Sequence, residues 1–175
     1  AELTAIPLTT EWTEVIIPIP LASRLTAEDG LFHFAESSDE GPYTIWFDDI
    51  SYQTVDALTI STASIATDSR ALLVGDITSV PGTSVTFDVD SQPVTLSTTP
   101  GYFDFASSNE DVATVDAMGL ITAVGVGDAD ISAKLGEVDA AGLFSVFVTL
   151  AEELSEAAPT PTTEPVDVIS IFSDA

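Results

Sequence analysis

The sequence contains no cysteine, one histidine and only three basic residues. Without cysteine there is neither a disulfide framework nor a thiolate metal site. The 29 acidic residues give a formal net charge of −26. Such a field repels phosphate backbones and anionic lipid head groups, so we expect no nucleic-acid partner and no membrane surface. No run approaches the roughly 20 apolar residues of a membrane span, which argues against membrane insertion.

Motifs for catalysis are also scarce. The single histidine, His33, has no serine or cysteine nucleophile motif nearby, and we assign it a structural or surface role. The carboxylates are scattered, whereas glycoside hydrolysis needs a pair held in a cleft. Asp48 and Asp49 are adjacent in a predicted strand, so their side chains would point to opposite faces. Gly125-Val126-Gly127 is not followed by the helix of a phosphate loop. We therefore expect this segment not to be an enzyme.

Short patterns typical of β-strands dominate the sequence. Hydrophobic residues make up 45% of the chain, and in residues 57–150 they form seven or so short runs separated by glycine and proline turns. Val85–Val89 and Val94–Ser97 alternate apolar and polar residues strictly, as half-buried strands do. No window has a convincing helical period. The pattern predicts a β-sandwich of immunoglobulin type.

Residues 1–56 contain three further strand patterns, which predict antiparallel β structure: Glu11–Pro20, Leu31–Ala35 and Tyr43–Tyr52. Pro18 and Pro20 cannot donate ladder hydrogen bonds, so the first strand would lie at an edge or break there. Three strands form a poor independent core. We therefore expect the segment to be completed by a missing fragment of the same parent protein or by a second chain.

A linker follows the predicted sandwich. Residues 151–165 are rich in proline, threonine and glutamate, the composition of an extended, semi-rigid linker. Val166–Phe172 alternates again. We interpret residues 166–175 as the start of a further β domain.

The segment Ser107–Ala133 closely resembles the bacterial Ig-like group 2 domain. The resemblance rests on a serine-asparagine turn, the strand Val112-Ala113-Thr114-Val115-Asp116, a glycine hairpin and a glycine-rich turn into a last strand. The hairpin Asp116–Gly119 lets glycine take a positive φ, and Leu120 and Val124 are expected to feed the core. Domains of this family are spacers and adhesion modules, so the resemblance implies a non-catalytic role for residues 57–150.

Residues 1–56 resemble the closing strands of jelly-roll carbohydrate-binding modules that are appended to secreted glycoside hydrolases. The resemblance is carried by a tryptophan followed by isoleucine-proline in Glu11–Pro20, and by an aspartate-aspartate-isoleucine ending in Trp46–Ile50. Val168–Ala175 resembles the first strand of another such module. The implied order is binding module, Ig-like spacer, linker and binding module.

Polysaccharide is the partner that this resemblance implies. Sugar rings stack on flat aromatic faces, and Trp46, Tyr43 and Trp12 are the candidate carbohydrate-binding residues. Trp46, beside Thr44, is the preferred exposed platform, with a buried core tryptophan as the alternative. Phe32 and Phe34 are interpreted as core residues.

A structural calcium ion is the second implication of the resemblance. Calcium binds carboxylate and carbonyl oxygens, and jelly-roll modules often use the aspartate of their last strand. Asp49 or Asp48 would then be a ligand, with further ligands on missing strands. The alternative is a solvated acidic strand end.

Together these observations predict an all-β chain: an Ig-like β-sandwich plus a partial β jelly-roll, joined by a Pro/Thr-rich linker. The expected function is a non-catalytic carbohydrate-binding and spacer segment. Its parent would be a secreted, multimodular bacterial protein that degrades polysaccharides or binds glycans. The alternative is a cell-surface adhesin or structural stalk built from Ig-like domains.

Overall fold

A computed structural model describes residues 1–25, 30, 32–36, 41–54 and 58–151. The described chain is nearly all β. Its strands are β1 (Thr59–Ser64), β2 (Asp68–Leu73), β3 (Ile77–Ser79), β4 (Ser84–Val89), β5 (Gln92–Ser97), β6 (Asp104–Ser107), β7 (Ala113–Val115), β8 (Leu120–Ala123), β9 (Gly127–Leu135), β10 (Val138–Ala141) and β11 (Phe144–Thr149). Two single-turn 3-10 helices lie at Ala22–Arg24 and Pro100–Tyr102. No helix in this described part is long and apolar enough to cross a membrane.

The strands form two sheets that pack as a sandwich. The larger sheet has the order β2-β11-β9-β10-β1-β4-β5, with β6 also paired to β9, and the smaller has the order β3-β8-β7. The prediction of an all-β sandwich is confirmed. The structure has more strands than the seven or so predicted, because short strands such as β3, β7 and β10 are too brief to show a period in the sequence.

The core follows the alternation of the strands. Val85, Phe87 and Val89 of β4 point inward, while the residues between them are at least partly exposed. The largest fully buried side chains are Phe87, Phe103, Phe144, Leu96, Ile121, Ile131 and Leu135. At about 25 cal/mol per Å² of apolar area, this burial is the main stabilisation of the sandwich.

One prediction about the core is wrong. Leu120 and Val124 were expected to feed it, but their side chains are 42% and 44% exposed. Strand β8 instead points Ile121 and Ala123 inward, which are 0% and 1% exposed. Because side chains alternate along a strand, burying Ile121 turns Leu120 outward.

The hairpin before β8 has the predicted geometry. Gly119 has φ +72°, and its N–H donates to the Asp116 carbonyl at 3.0 Å. The Asp116 carboxylate accepts from the N–H groups of Met118 and Leu120, each at 2.8 Å. A Cβ on Gly119 would lie 2.8 Å from Pro100. Glycine is therefore required here by both the turn and the packing.

The three strands predicted in residues 1–56 are not formed in the described part of that segment. Its only β pairing is a single bridge between Glu2 and Ser97. A strand needs a neighbour to satisfy its N–H and C=O groups, and within these residues Glu11–Pro20 and Tyr43–Tyr52 have no such neighbour. The likeness to a jelly-roll binding module therefore stays a prediction. The predicted linker and the last strand, residues 152–175, lie outside the described residues.

Candidate functional site

The candidate sugar-binding residues all have exposed side chains. Trp12 is 73% exposed, Trp46 is 76% exposed and Tyr43 is 48% exposed. Tryptophan is usually well buried because its large apolar surface is costly to hydrate. The alternative of a buried core Trp46 does not apply in this structure. Most of each indole is therefore accessible to a ligand, and an accessible aromatic face can stack on a sugar ring.

The three candidates are not assembled into one platform. Within the described residues, no ring contact joins Trp12 or Trp46 to another aromatic side chain. Phe47 instead forms edge-to-face contacts with Phe32 and Phe34, at ring-centroid distances of 6.0 Å and 5.0 Å. Trp46 and Phe47 are adjacent in the sequence, yet Phe47 contacts two other rings and Trp46 contacts none within the described residues. The ring contacts of the described residues therefore bring none of the three candidates together.

Phe32 and Phe34 are not core residues, contrary to expectation. Their side chains are 48% and 41% exposed although they contact Phe47. A strand's apolar face is buried only when another layer covers it. In the described part of the chain no second sheet lies over this face. His33, between them, is exposed as well.

Tyr43 differs from the two tryptophans because it has a polar partner. A hydrogen bond with the Glu36 side chain raises the pKa of the Tyr43 phenol above its ordinary value. Partial desolvation and the negative charge of Glu36 act in the same direction. Tyr43 therefore keeps its proton at neutral pH. The arrangement places a phenol and a carboxylate side by side, hydrogen-bonded to each other.

The two candidate calcium ligands do not make a calcium site by themselves. Asp49 has φ +51°, and its N–H donates to Oδ1 of Asp48 at 2.9 Å. Asp49 therefore departs from the extended backbone of the predicted strand end, and neither residue is part of a strand. Calcium takes six to eight oxygen ligands, whereas the described residues contain no group of three or more side chains that could hold a metal. Further ligands would have to come from outside the described residues.

The N-terminal segment contacts the sandwich at several points. Glu2 and Ser97 exchange two backbone hydrogen bonds, at 2.7 Å and 2.9 Å, on the edge strand β5. Arg24 forms an ion pair with Asp104 of β6 at 2.5 Å. Leu3, Ile16 and Leu21 pack against the buried core. Sequence patterns gave no sign of these contacts, because each joins residues far apart in the chain.

The strand registers show where the chain enters and leaves the sandwich. Strands β10 and β11 lie beside β9, with Val138 opposite Leu135 and Val148 opposite Gly127, the two ends of β9. Strand β1 is parallel to β10, and β2 is parallel to β11. The chain therefore enters β1 at one end of the sandwich and leaves β11 at the other. At ~3.3 Å per residue, Thr59 and Thr149 are about 40 Å apart.

Comparison with known proteins identifies part of this sandwich. The model of the bacterial Ig-like domain (group 2) family matches residues 75–143. No curated protein matches the chain. The matched segment lies inside the sandwich and omits β1, β2 and β11.

Two solved structures show a limited likeness. The crystal structure of the S-layer protein SbsC domains 4 and 5 has 17% identity and a TM-score of 0.38, over 54% of this chain and 54% of that one. The EHEC O157:H7 intimin mutant has 20% identity and a TM-score of 0.25, over 55% of this chain and 48% of that one. This chain thus spans about half of each solved chain. Residues 75–143, the centre of the sandwich, are similar to the bacterial Ig-like domain (group 2).

Proposed function

We propose that this chain is a non-catalytic spacer segment of a secreted or cell-surface bacterial protein. The observation that carries the proposal is the entry and exit of the chain at opposite ends of the sandwich. A domain inserted in this way adds its own length between the chain directly before β1 and the chain after β11. The resemblance of residues 75–143 to bacterial Ig-like domains fits that role.

The compact core makes the sandwich a stiff spacer. Phe87, Phe144 and Ile131 are at most 2% exposed and belong to one continuous hydrophobic cluster. Close-packed interiors have low compressibility. A flexible linker of the same length would leave the separation between its ends broadly distributed. The sandwich instead fixes one distance.

The spacer is tested by a distance measurement on the full chain. Because the protein has no cysteine, spin labels on Thr59→Cys and Leu150→Cys report only the chosen pair. We expect one narrow distribution centred at about 40 Å. Labels on Val74→Cys and Leu150→Cys are the matched control: the Val74 N–H donates to the Thr149 carbonyl at 2.9 Å, so this pair must be close. A short or broad distance for the first pair contradicts the spacer.

Carbohydrate binding is the second component of the proposal, and the exposure of Trp12 and Trp46 favours it. Two exposed indoles in one short segment are the groups that stack on pyranose rings. The partner would be a polysaccharide, held near the rest of a glycan-degrading or glycan-binding parent by raised effective concentration. A calcium ion at Asp48 and Asp49 belongs to this component and is a prediction for a completed binding module.

Affinity electrophoresis through polysaccharide gels tests the binding component. We expect one glycan to retard the full chain, and Trp46→Ala to abolish the retardation. Phe47→Ala, which removes a neighbouring ring with other contacts, is the control and should preserve it. Repeating the gel with calcium and then with chelator tests the calcium prediction. No retardation in any gel by the folded protein favours the adhesin or stalk instead.

A further inference from the structure

The first two strands of the sandwich pair in parallel with its last two strands. Residues 68–73 of β2 pair with residues 144–149 of β11 in an uninterrupted register of six pairs. Residues 63–64 of β1 pair in the same sense with residues 140–141 of β10. The first strands of the domain thus lie directly beside its last strands along most of its length.

Backbone hydrogen bonds continue across the gap between these two pairings. The Ile65 N–H donates to the Ala141 carbonyl at 2.9 Å, and the Asp68 N–H donates to the Leu143 carbonyl at 3.2 Å. Gly142 makes this close approach possible: a Cβ there would lie 2.1 Å from the Ile65 carbonyl oxygen. The two short ladders therefore act as one.

Tension along the chain would load this ladder in shear. A force on the N-terminal side pulls β1 and β2 toward the entry end, while a force on the C-terminal side pulls β11 toward the exit end. In parallel neighbours these forces are directed along the strands, across the evenly spaced, slanted hydrogen bonds. All of the bonds must then fail together, whereas a hairpin opened from its end loses them one at a time.

Strand β11 is also anchored on its other side. It pairs with β9 over five residues, and the Ser145 hydroxyl donates to the Asp130 carboxylate at 2.6 Å. Phe144, Val146 and Val148 are at most 2% exposed, so β11 cannot leave without opening the core. The weaker partner under load is therefore β2, an edge strand with one buried side chain.

We propose that the parallel ladder of β2 on β11, continued by Ile65 and Ala141, is a mechanical clamp that keeps the sandwich folded under tension. The proposal rests on the spacer function, because only a domain inserted in line with the chain receives such a force. Forced unfolding is governed by the unfolding rate rather than by equilibrium stability. The clamp therefore makes a prediction that thermal stability alone does not.

Single-molecule pulling of the full chain from its two termini tests the clamp. We expect the N-terminal segment to extend at low force, followed by one abrupt event that lengthens the chain by about 270 Å, as the residues of the sandwich become extended. A gradual lengthening of the sandwich without an abrupt event would overturn the proposal.

A pair of proline variants localises the resistance. The N–H groups of Asp68 and Val74 both donate toward the β11 side, to Leu143 and Thr149. Because N–H groups alternate in direction along a parallel strand, the Arg70 N–H also points toward β11 and the Ala71 N–H points away from it. Arg70→Pro should at least halve the unfolding force, and Ala71→Pro should change it much less. Arg70→Ala controls for the lost side-chain bond to Thr78. If Arg70→Pro does not fold, Val74→Pro removes the last bond of the ladder and should still lower the force.

A core variant away from the ladder tests whether the unfolding force depends on the ladder or on the overall stability of the sandwich. Leu96→Ala in β5 removes a fully buried side chain and should lower the thermal midpoint while leaving most of the unfolding force. Equal loss of force in Leu96→Ala and Arg70→Pro at matched midpoints would overturn the clamp. The label distance of about 40 Å would still support the spacer, so the failures of the two proposals are distinguishable.

Discussion

The N-terminal segment and the sandwich carry similar strand patterns and have different structures. In the sandwich, the alternating residues of β4 lie between β1 and β5, and every second side chain is buried. In the N-terminal segment, Glu11–Pro20 alternates in part as well, yet it has no ladder partner in the described structure, and Val15 and Ile17 are both 42% exposed. The comparison shows that an alternating sequence can form a strand, but does so only where a neighbouring strand pairs with it.

A phenylalanine-to-alanine change should lower the free energy of unfolding much more in the sandwich than in the N-terminal segment. Phe144→Ala in the sandwich removes a side chain that is 0% exposed, and we expect a loss of about 3–5 kcal/mol in the free energy of unfolding. Phe47→Ala in the N-terminal segment should change it by less than about 0.5 kcal/mol. Urea denaturation monitored by circular dichroism gives both values. A large effect of Phe47→Ala would mean that the segment is part of the folded core.

Glycines sharpen the comparison, because three of them share a positive φ and differ in surroundings. Gly142 has φ +94°, and a Cβ added there would lie 2.1 Å from the Ile65 carbonyl oxygen. Gly75 and Gly41 have φ +97° and +103°, and a Cβ added at either would meet no atom within 4 Å. Gly75→Ala should cost about 1–2 kcal/mol from backbone strain. Gly142→Ala should cost about 1–3 kcal/mol more, because Ile65 must also shift.

Gly41→Ala is the control from the N-terminal segment, and thermal unfolding of the three variants makes the test. We expect no change in the unfolding midpoint of the sandwich for Gly41→Ala. Equal midpoints for Gly142→Ala and Gly75→Ala would contradict the close crossing of the two chain segments.

The sequence predicted the local features of the sandwich well. Alternation located β4 and β5, and the glycine hairpin before β8 follows from the residues around Asp116. Alternation alone did not decide which face of β8 is buried, because Leu120 and Ile121 are both apolar and only the tertiary contacts choose between them. The error over Leu120 has this origin.

Contacts between residues far apart in the chain could not be predicted from the sequence. The parallel pairing of β2 with β11 joins residues more than 70 positions apart, and no local pattern encodes it. The ion pair of Arg24 with Asp104 is equally distant. Of the candidate site, the sequence left open whether Trp46 is exposed or buried, and only the structure shows it exposed. The left-handed backbone of Asp49 was also missed, because the strand pattern continues through Asp48 and Asp49.

The turn at Asp116 provides a smaller test within the same comparison. Its carboxylate accepts two backbone N–H groups in the sandwich, whereas that of Asp48 accepts one in the N-terminal segment. Asp116→Ala should lower the free energy of unfolding by about 1–2 kcal/mol, and Asp116→Asn by less because its amide oxygen still accepts. Asp48→Ala should leave it unchanged. Denaturant titration of the three variants distinguishes these outcomes.

The smallest effect is expected where the two regions meet. Arg24→Ala breaks the ion pair with Asp104. Because the two side chains are 34% and 62% exposed, the free energy of unfolding should change by at most about 1 kcal/mol. Limited proteolysis should nevertheless cut the N-terminal segment faster, because one of its attachments is lost. Lys134→Ala, which breaks another exposed ion pair within the sandwich, is the matched control. Faster cutting of the N-terminal segment in both variants would contradict a local role for Arg24.

Hydrogen exchange of the full chain, followed by mass spectrometry, tests most directly the claim that the sandwich is the folded unit and the N-terminal segment is attached to it. We expect strong protection in β4, β9 and β11. We expect rapid exchange in Glu11–Pro20 and Tyr43–Tyr52, because the N–H groups of these two stretches have no ladder partners among the residues that the structure describes. Protection of those two stretches as strong as that of β9 would contradict the account, and would show that they pair as strands after all.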